Sequence, residues 1–357
     1  MAKKVLFLVP YPSEGASARL RVEAFLPYSR KSGIECTIRP FYTASFYKIL
    51  YQPGNSLKKV ALFLLCSARR VWDVITAGPF DAVFIHREAF PVGLPVLEAA
   101  LFLFRKKVVF DFDDAIYLAP HGSGSFIAAL KCPRKTDFII KHSDLLIVGN
   151  EFLRKHAQPF NKNIKIIPTC IDTDSYCGPS AQADNKHDVI IGWIGSHTTQ
   201  VYLKELERVF LSLLAKKENL MIHLIGGGID TLRHERVIYK EWSLEREKDD
   251  IQQFDIGIMP MPDTDWTKGK CAFKIILYMS FGIPVVASAV GVNKDIVKNG
   301  VNGFLATGTA DWEEKLLRLV NDRALRRSMG EKGRATAEKG YSLKANAPKF
   351  VDALMGI

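Results

Sequence analysis

At 357 residues and 48% hydrophobic content, the chain can bury two domain cores and is longer than one ordinary domain. Its net charge of +11 is uneven: residues 1–175 hold 24 Lys and Arg against 15 Asp and Glu, and the remainder 25 against 23, so a negatively charged partner is expected of the first half. Six cysteines (Cys36, Cys66, Cys132, Cys170, Cys177, Cys271) show no C-x-x-C spacing, which argues for reduced thiols in a cytoplasmic setting and against structural zinc, and no uncharged apolar run is long enough to span a membrane.

Met1-Ala2-Lys3-Lys4 runs directly into the apolar stretch Val5–Val9, so no signal peptide is expected and a buried parallel strand is. The turn-rich loop Pro10–Ala18 follows, with Gly15 in it, and a helix opens at Arg19. In an open α/β sheet the loop after the first strand borders the ligand crevice, so Gly15, Arg19 and Arg21 are candidate binding residues for an anionic acceptor or phosphate; a basic surface turn is the other reading. No G-x-x-x-x-G-K-[ST] occurs, which excludes a P-loop.

Residues 57–75 read as a basic amphipathic helix. Lys58, Lys59, Arg69 and Arg70 flank an apolar body with Trp72 near one end. Such a segment lies either in an anionic membrane interface or in a core with a solvated basic face. Leu94–Lys107 reads as a core helix. There is no zinc finger, RNP-like aromatic strand or zipper-type basic helix, so nucleic acid is not the expected partner.

The strand Ala82–His86 ends in the polar run His86-Arg87-Glu88, and Val108–Phe112 ends in Asp113-Asp114. Both strand ends are expected to face one crevice. One carboxylate would then face the site while the other caps the following helix; capping by both is the alternative. A metal on the pair is disfavoured, because no third carboxylate or His is obviously placed with it. Further strands are expected after Lys141 and at Asn163–Asp172, and the polar stretch 176–188, with Gly178-Pro179, reads as a linker.

A second α/β unit starts at Val189. Gly195, Ser196, Thr198 and Thr199 offer a close backbone approach and hydroxyls at a helix start, suited to a phosphate or simply to capping. Leu220–Gly228 is a strand into a glycine turn that includes Gly227; without G-x-G-x-x-G it is not a dinucleotide site. Trp242 lies in a charged segment. Residues 268–288 then form a helix and a short strand: Phe273, Ile276, Leu277 and Ser280 keep helical spacing, Gly282 sits at a left-handed terminus, and Pro284 precedes Val285-Val286-Ala287. Lys270 and Lys274 flank that helix start, where backbone N–H groups and the helix dipole favour an anion. The closing segments are scaffold helices and a final helix, 341–357.

Residues Tyr278–Val286 resemble the Ala-Met-Ala-x-Gly-x-Pro-Val-Val half of the donor signature of the glycosyltransferase family 4 group. A subgroup with Phe-Asp-Asp-Ala (Phe112–Ala115 here) and Gly-Lys-Cys-x-Phe-Lys (Gly269–Lys274) is the better match. The two Glu positions of the common signature fall at Gly269 and Leu277. The resemblance implies a GT-B fold, two Rossmann-like doubly wound domains facing a central cleft: 1–175 for the acceptor, 189–340 for the donor, and 341–357 returning to the first. It implies transfer, with retention, of a sugar from a nucleotide diphosphate sugar, UDP- or GDP-linked, to a glycan or lipid-linked acceptor in polysaccharide or glycolipid assembly, with no further cofactor, in the cytoplasm or at the inner face of a membrane.

By the same resemblance Gly195, Ser196, Thr199, Gly227, Trp242, Lys270, Cys271, Ala272, Phe273 and Lys274 would hold the donor, with the base near Trp242. The family commonly carries Arg and Lys near Gly195; here Lys270 and Lys274 would supply that charge. Asp113, where a His is common, would with Asp114 serve the chemistry by orienting or deprotonating hydroxyls. Gly15, Arg19, Arg21, His86, Arg87 and Glu88 would line the acceptor side. Loss of both Glu residues motivates a catalytically silent binder as the alternative, and a sugar-nucleotide epimerase is a third reading.

Overall fold

The computed structural model describes residues 2–50, 52–118, 132, 134–177, 188–227 and 232–357. They form two compact units. The first comprises Met1–Thr169, Gly269–Cys271 and Asn346–Ile357, and the second Cys170–Lys268 and Ala272–Ala345. Most of the expected linker, 178–187, lies outside the described residues, as does Gly228.

The first unit is built on six parallel strands: β1 (Lys3–Val9), β2 (Ile34–Pro40), β3 (Ala82–His86), β4 (Lys107–Phe112), β5 (Leu145–Val148) and β6 (Ile164–Ile166), in the order β2-β1-β3-β4-β5-β6. β1, β3, β4 and β5 are buried along nearly their whole length. Their continuous Val, Leu, Ile and Phe runs are what a sheet covered on both faces requires. β2 is an edge strand of half-exposed, mixed character, and it ends at Pro40, which has no N–H to give to a ladder. The order reverses direction at β1 and β3, and ligands of such sheets bind outside the carboxyl ends at that switch point.

The last helix, Leu343–Met355, reaches this unit through its second half. Phe350 stacks on Phe25 with centroids 4.5 Å apart and also contacts Phe84, while Lys3 Nζ donates to the Ile357 carbonyl at 2.6 Å.

Two helices differ from expectation. In Ser56–Ile75, Arg70 is buried and donates to the carbonyls of Val9 and Arg39, and Arg69 donates to those of Pro40 and Phe41, so neither is a free surface cation. In Val96–Leu103 only Glu98 and Leu101 are buried, and Val96 and Leu103, like Leu94 just before the helix, are exposed rather than core. Among the described residues no helix is long and apolar enough to cross a membrane.

The second unit has β7 (Val189–Gly195), β8 (Leu220–Gly226), β9 (Val237–Lys240), β10 (Ile256–Met259), β11 (Val285–Ser288) and β12 (Gly303–Ala306), in the order β12-β11-β10-β7-β8-β9. That is the doubly wound dinucleotide-type order, with its switch point between β7 and β10. The helix Phe273–Ser280 feeds β11 through a Schellman turn. The N–H of Ile283 bonds the Tyr278 carbonyl, that of Gly282 bonds the Met279 carbonyl, and Gly282 has φ +70°. Leu277 is buried in the core cluster that also holds Ile225 and Phe254.

Candidate functional site

In the first unit the polar residues after β3 and β4 form one ionic cluster. Arg87 Nε donates to Asp113 Oδ1 at 2.8 Å and Nη2 donates to Asp114 Oδ2 at 2.6 Å. Both adjacent carboxylates thus grip one guanidinium. Lys270 Nζ stands 3.5 Å from the other oxygen of Asp114. Arg87 itself has φ +62°, a left-handed backbone that costs a non-glycine residue about 1–3 kcal/mol. Two charge-assisted bonds hold it there.

Burial pushes the Asp113 carboxyl up, but the Arg87 guanidinium, with His86 and Arg21, more than reverses this and holds it well below the usual carboxylate range. Arg87 responds in the opposite sense. Burial alone would lower its pKa, and Asp113 and Asp114 together raise it well above the ordinary value.

Beneath this cluster lies a second, fully enclosed one. Arg21 is paired with both oxygens of Asp111 and donates to the Ile167 carbonyl at 2.6 Å. His86 Nδ1 meets Asp111 Oδ2 at 2.6 Å, and its Nε2 meets Ser17 Oγ. A carboxylate only accepts, so Nδ1 carries the proton of that bond, while Nε2 shares the other bond with the serine hydroxyl. Arg21 and His86 are 2% and 0% exposed, so they cannot line an acceptor surface as expected; they support the residues above them. Arg19 is half-buried and donates to the Ser13 carbonyl, and Glu88 is half-buried. Gly15 begins the helix Ala16–Arg21 in extended backbone, where a Cβ would lie 3.2 Å from the Pro12 carbonyl oxygen and against Tyr11.

Asn150 fixes the segment that carries Lys270. Its Nδ2 donates to the Gly269 and Lys270 carbonyls at 2.9 and 3.1 Å, while its Oδ1 caps the helix Glu151–Ala157 by accepting from Leu153 N–H at 3.0 Å. Cys271 was expected to touch a donor. Instead its thiol donates to the Asp113 carbonyl at 3.1 Å and fills the space over Gly149, where any Cβ would overlap Sγ. Burial, reinforced by Asp113, raises its pKa, so the thiol is inert packing. Gly269 is equally confined: a Cβ would come within 2.7 Å of Ala115 Cβ. No glutamate fits at that position of the common signature.

In the second unit, the carboxyl ends of β7 and β8 lack side chains because none fits. Gly195 and Gly226 are register partners, and Gly226 and Gly227 have φ +78° and +89°. A Cβ on Gly195 would lie 2.7 Å from Thr199 Oγ1, one on Gly226 would overlap the Gly195 carbonyl, and one on Gly227 would overlap the Gln200 side chain. Ser196 and Thr198 are exposed beside this glycine floor with hydroxyls 2.9 Å apart, and the Thr199 hydroxyl donates to the Ser196 carbonyl at 3.2 Å.

Ala272 starts the helix Phe273–Ser280 in left-handed backbone, φ +52°, and is buried. Phe273 packs half-buried on the core. Lys274 Nζ lies 5.7 Å from the Trp193 ring centroid, in reach of a cation–π contact. Trp242 is half-buried and donates from Nε1 to Glu247 Oε2 at 2.8 Å; Glu247 also accepts from the Tyr176 hydroxyl at 3.0 Å. Among the described residues no group of three His, Cys, Asp or Glu side chains could hold a metal ion.

Ser17, Asp111, Gly149 and Asn150 were not singled out from the sequence. An aspartate inside the run Val108–Phe112 was the available signal, since a buried carboxylate demands partners.

Residues 188–322 match the family model of group 1 glycosyl transferases. An uncharacterized glycosyltransferase of Methanocaldococcus jannaschii is 34% identical over 84 residues, covering 20% of this chain and 24% of that protein. The match thus spans about a quarter of the relative's length. Among solved structures, HepE of Anabaena, in complex with UDP and glucose, has a TM-score of 0.72 at 17% identity and covers 99% of this chain and 100% of its own. Sucrose-phosphate synthase of Thermosynechococcus elongatus has a TM-score of 0.71 at 13% identity, covering 99% and 98%. The chain therefore has the GT-B type of fold, two Rossmann-like α/β domains.

Proposed function

We propose that the protein is a glycosyltransferase that takes a sugar from a nucleotide diphosphate sugar, UDP- or GDP-linked, and passes it with retention to a glycan or lipid-linked acceptor in polysaccharide or glycolipid assembly. The observation that carries this reading is the coincidence of the family match, 188–322, with the unit whose β7 and β8 end in a side-chain-free glycine floor. The UDP bound by HepE supports the same class of donor.

Glycosyl transfer develops positive charge on the sugar while a diphosphate departs, so the protein must offer donors to the leaving oxygens. The N–H groups beside Gly195 and Gly227, the hydroxyls of Ser196 and Thr199, the opening turn of Phe273–Ser280 and the Lys274 ammonium are suited to that task. Lys270, the other lysine expected to supply such charge, belongs to the first unit, where its Nζ stands 3.5 Å from Asp114. Trp242, fixed by Glu247, is suited to the base.

On the acceptor side, Arg87 and Glu88 are the candidates that retain partial exposure, and Arg19 and Gly15 shape the loop beside them. Asp113, held ionised by Arg87, is a weak proton acceptor near neutral pH. It fits the orientation of hydroxyls and the stabilisation of positive charge better than deprotonation.

Calorimetric titration with UDP, GDP, ADP and CMP, repeated on Lys274→Ala, tests the donor half. Micromolar binding of UDP or GDP, weakened about tenfold by the substitution, is the expected result. Binding of none of the four would favour the silent-binder reading, for which Leu277 buried in the core in place of a glutamate is the specific observation.

A further inference from the structure

The helix Ser56–Ile75 shows its apolar side to water. Leu57, Val60, Leu64, Val71, Trp72 and Ile75 are all exposed, Leu57 by 89% and Trp72 by 62%. At about 100° per residue they fall in one stripe roughly 120° wide, completed by Ala61 and Ala68. The opposite line holds Cys66, Arg70 and Asp73, all buried.

That rotation is fixed by polar bonds. Arg70 Nη2 donates to the Val9 and Arg39 carbonyls at 3.1 and 3.0 Å, and Asp73 accepts from Arg39 at 3.1 Å. Turning the helix over would strand a buried guanidinium and a carboxylate. The inner side rests on the aromatic cluster of Phe41, Tyr42 and Phe46. In the neighbouring helix Val96–Leu103, Leu103 is likewise 79% exposed.

The charge around the stripe has one sign. Among residues 44–75 the one carboxylate, Asp73, is buried, and of the five Lys and Arg, Arg69 and Arg70 are taken up by backbone carbonyls. Lys48 and Lys58 are exposed, with Lys58 on the border of the stripe.

We propose that this stripe is the docking surface for an anionic lipid bilayer, with the helix lying in the headgroup region parallel to the membrane plane. A 20-residue helix offers about 30 Å of contact. Its apolar residues meet acyl chains, Lys58 meets headgroup phosphates, and Trp72 sits at the depth that indoles prefer. The inference stands independently of the donor chemistry proposed above.

The test is sedimentation of the full-length protein with phosphatidylcholine vesicles, with and without phosphatidylglycerol, together with Trp72 fluorescence. Binding to the anionic vesicles alone, with a blue shift that Trp72→Phe removes, is expected. Leu64→Glu, at an exposed position that leaves the fold intact by circular dichroism, should weaken binding about tenfold or more, and Lys58→Glu about fivefold. Failure to sediment with anionic vesicles, or undiminished binding by Leu64→Glu, would overturn the proposal. So would a dimer in solution that Leu64→Glu dissociates, which would assign the stripe to a second copy of the chain.

Discussion

Arg87 bears three constraints at once. Its backbone is left-handed, its guanidinium joins two consecutive carboxylates, and those carboxylates are only 12% and 17% exposed. Removing the cation leaves both acids without their main partner in a site poor in water. Arg87→Ala is therefore expected to lose about 3 kcal/mol of stability in urea unfolding. Its pH behaviour should shift too. The folded-state pKa of Asp113 is depressed, so the pair's contribution is complete above the ordinary carboxylate value of 3.8 and is lost as pH falls through the depressed value. Without Arg87 the burial effect loses its chief opponent, and acid unfolding followed by circular dichroism should begin at a higher pH than in the parent protein. An unchanged acid midpoint would show that Arg87 does not set the Asp113 charge. Asp113 and Asp114 were recognisable in the sequence as functional-type residues, but their shared partner was not, because the pairing joins the ends of two strands more than twenty residues apart.

At the scale of elements, the segment Gly269–Cys271 is held by side-chain chemistry rather than by secondary structure. Asn150 ties its carbonyls to a helix cap, and the Cys271 thiol occupies the space that only glycine at 149 leaves open. Gly149→Ala should cost about 1–3 kcal/mol through overlap with Sγ. Adding Cys271→Ala should recover most of that loss, a coupling readable in a double-mutant thermal-melt cycle; additive losses would contradict the contact. The elements readable beforehand were those with continuous apolar runs, β1, β3, β4, β5, β7 and β8, and the helix–glycine–proline–strand unit around Gly282. β2 was not, since Ile34-Glu35-Cys36-Thr37-Ile38-Arg39 mixes apolar and polar side chains as an edge strand does. The helix Ser56–Ile75 was readable as amphipathic, but the side it buries was not. That is decided by the Val9 and Arg39 carbonyls and the Arg39 guanidinium, none of which a helical periodicity contains.

Across the whole molecule there are two six-stranded parallel sheets of different strand order, and the family match falls on the second. The first carries a buried ionic centre at the ends of β3 and β4 and most of the net positive charge. The second carries the glycine floor at the ends of β7 and β8. Donor binding to that floor is the central claim, and amide hydrogen exchange with and without UDP or GDP measures it most directly. The account predicts slowed exchange at residues 195–200, 226–227 and 273–276, with Trp242 amides protected if the base lies there. Protection confined to residues 15–21 and 86–88 of the first unit would contradict it.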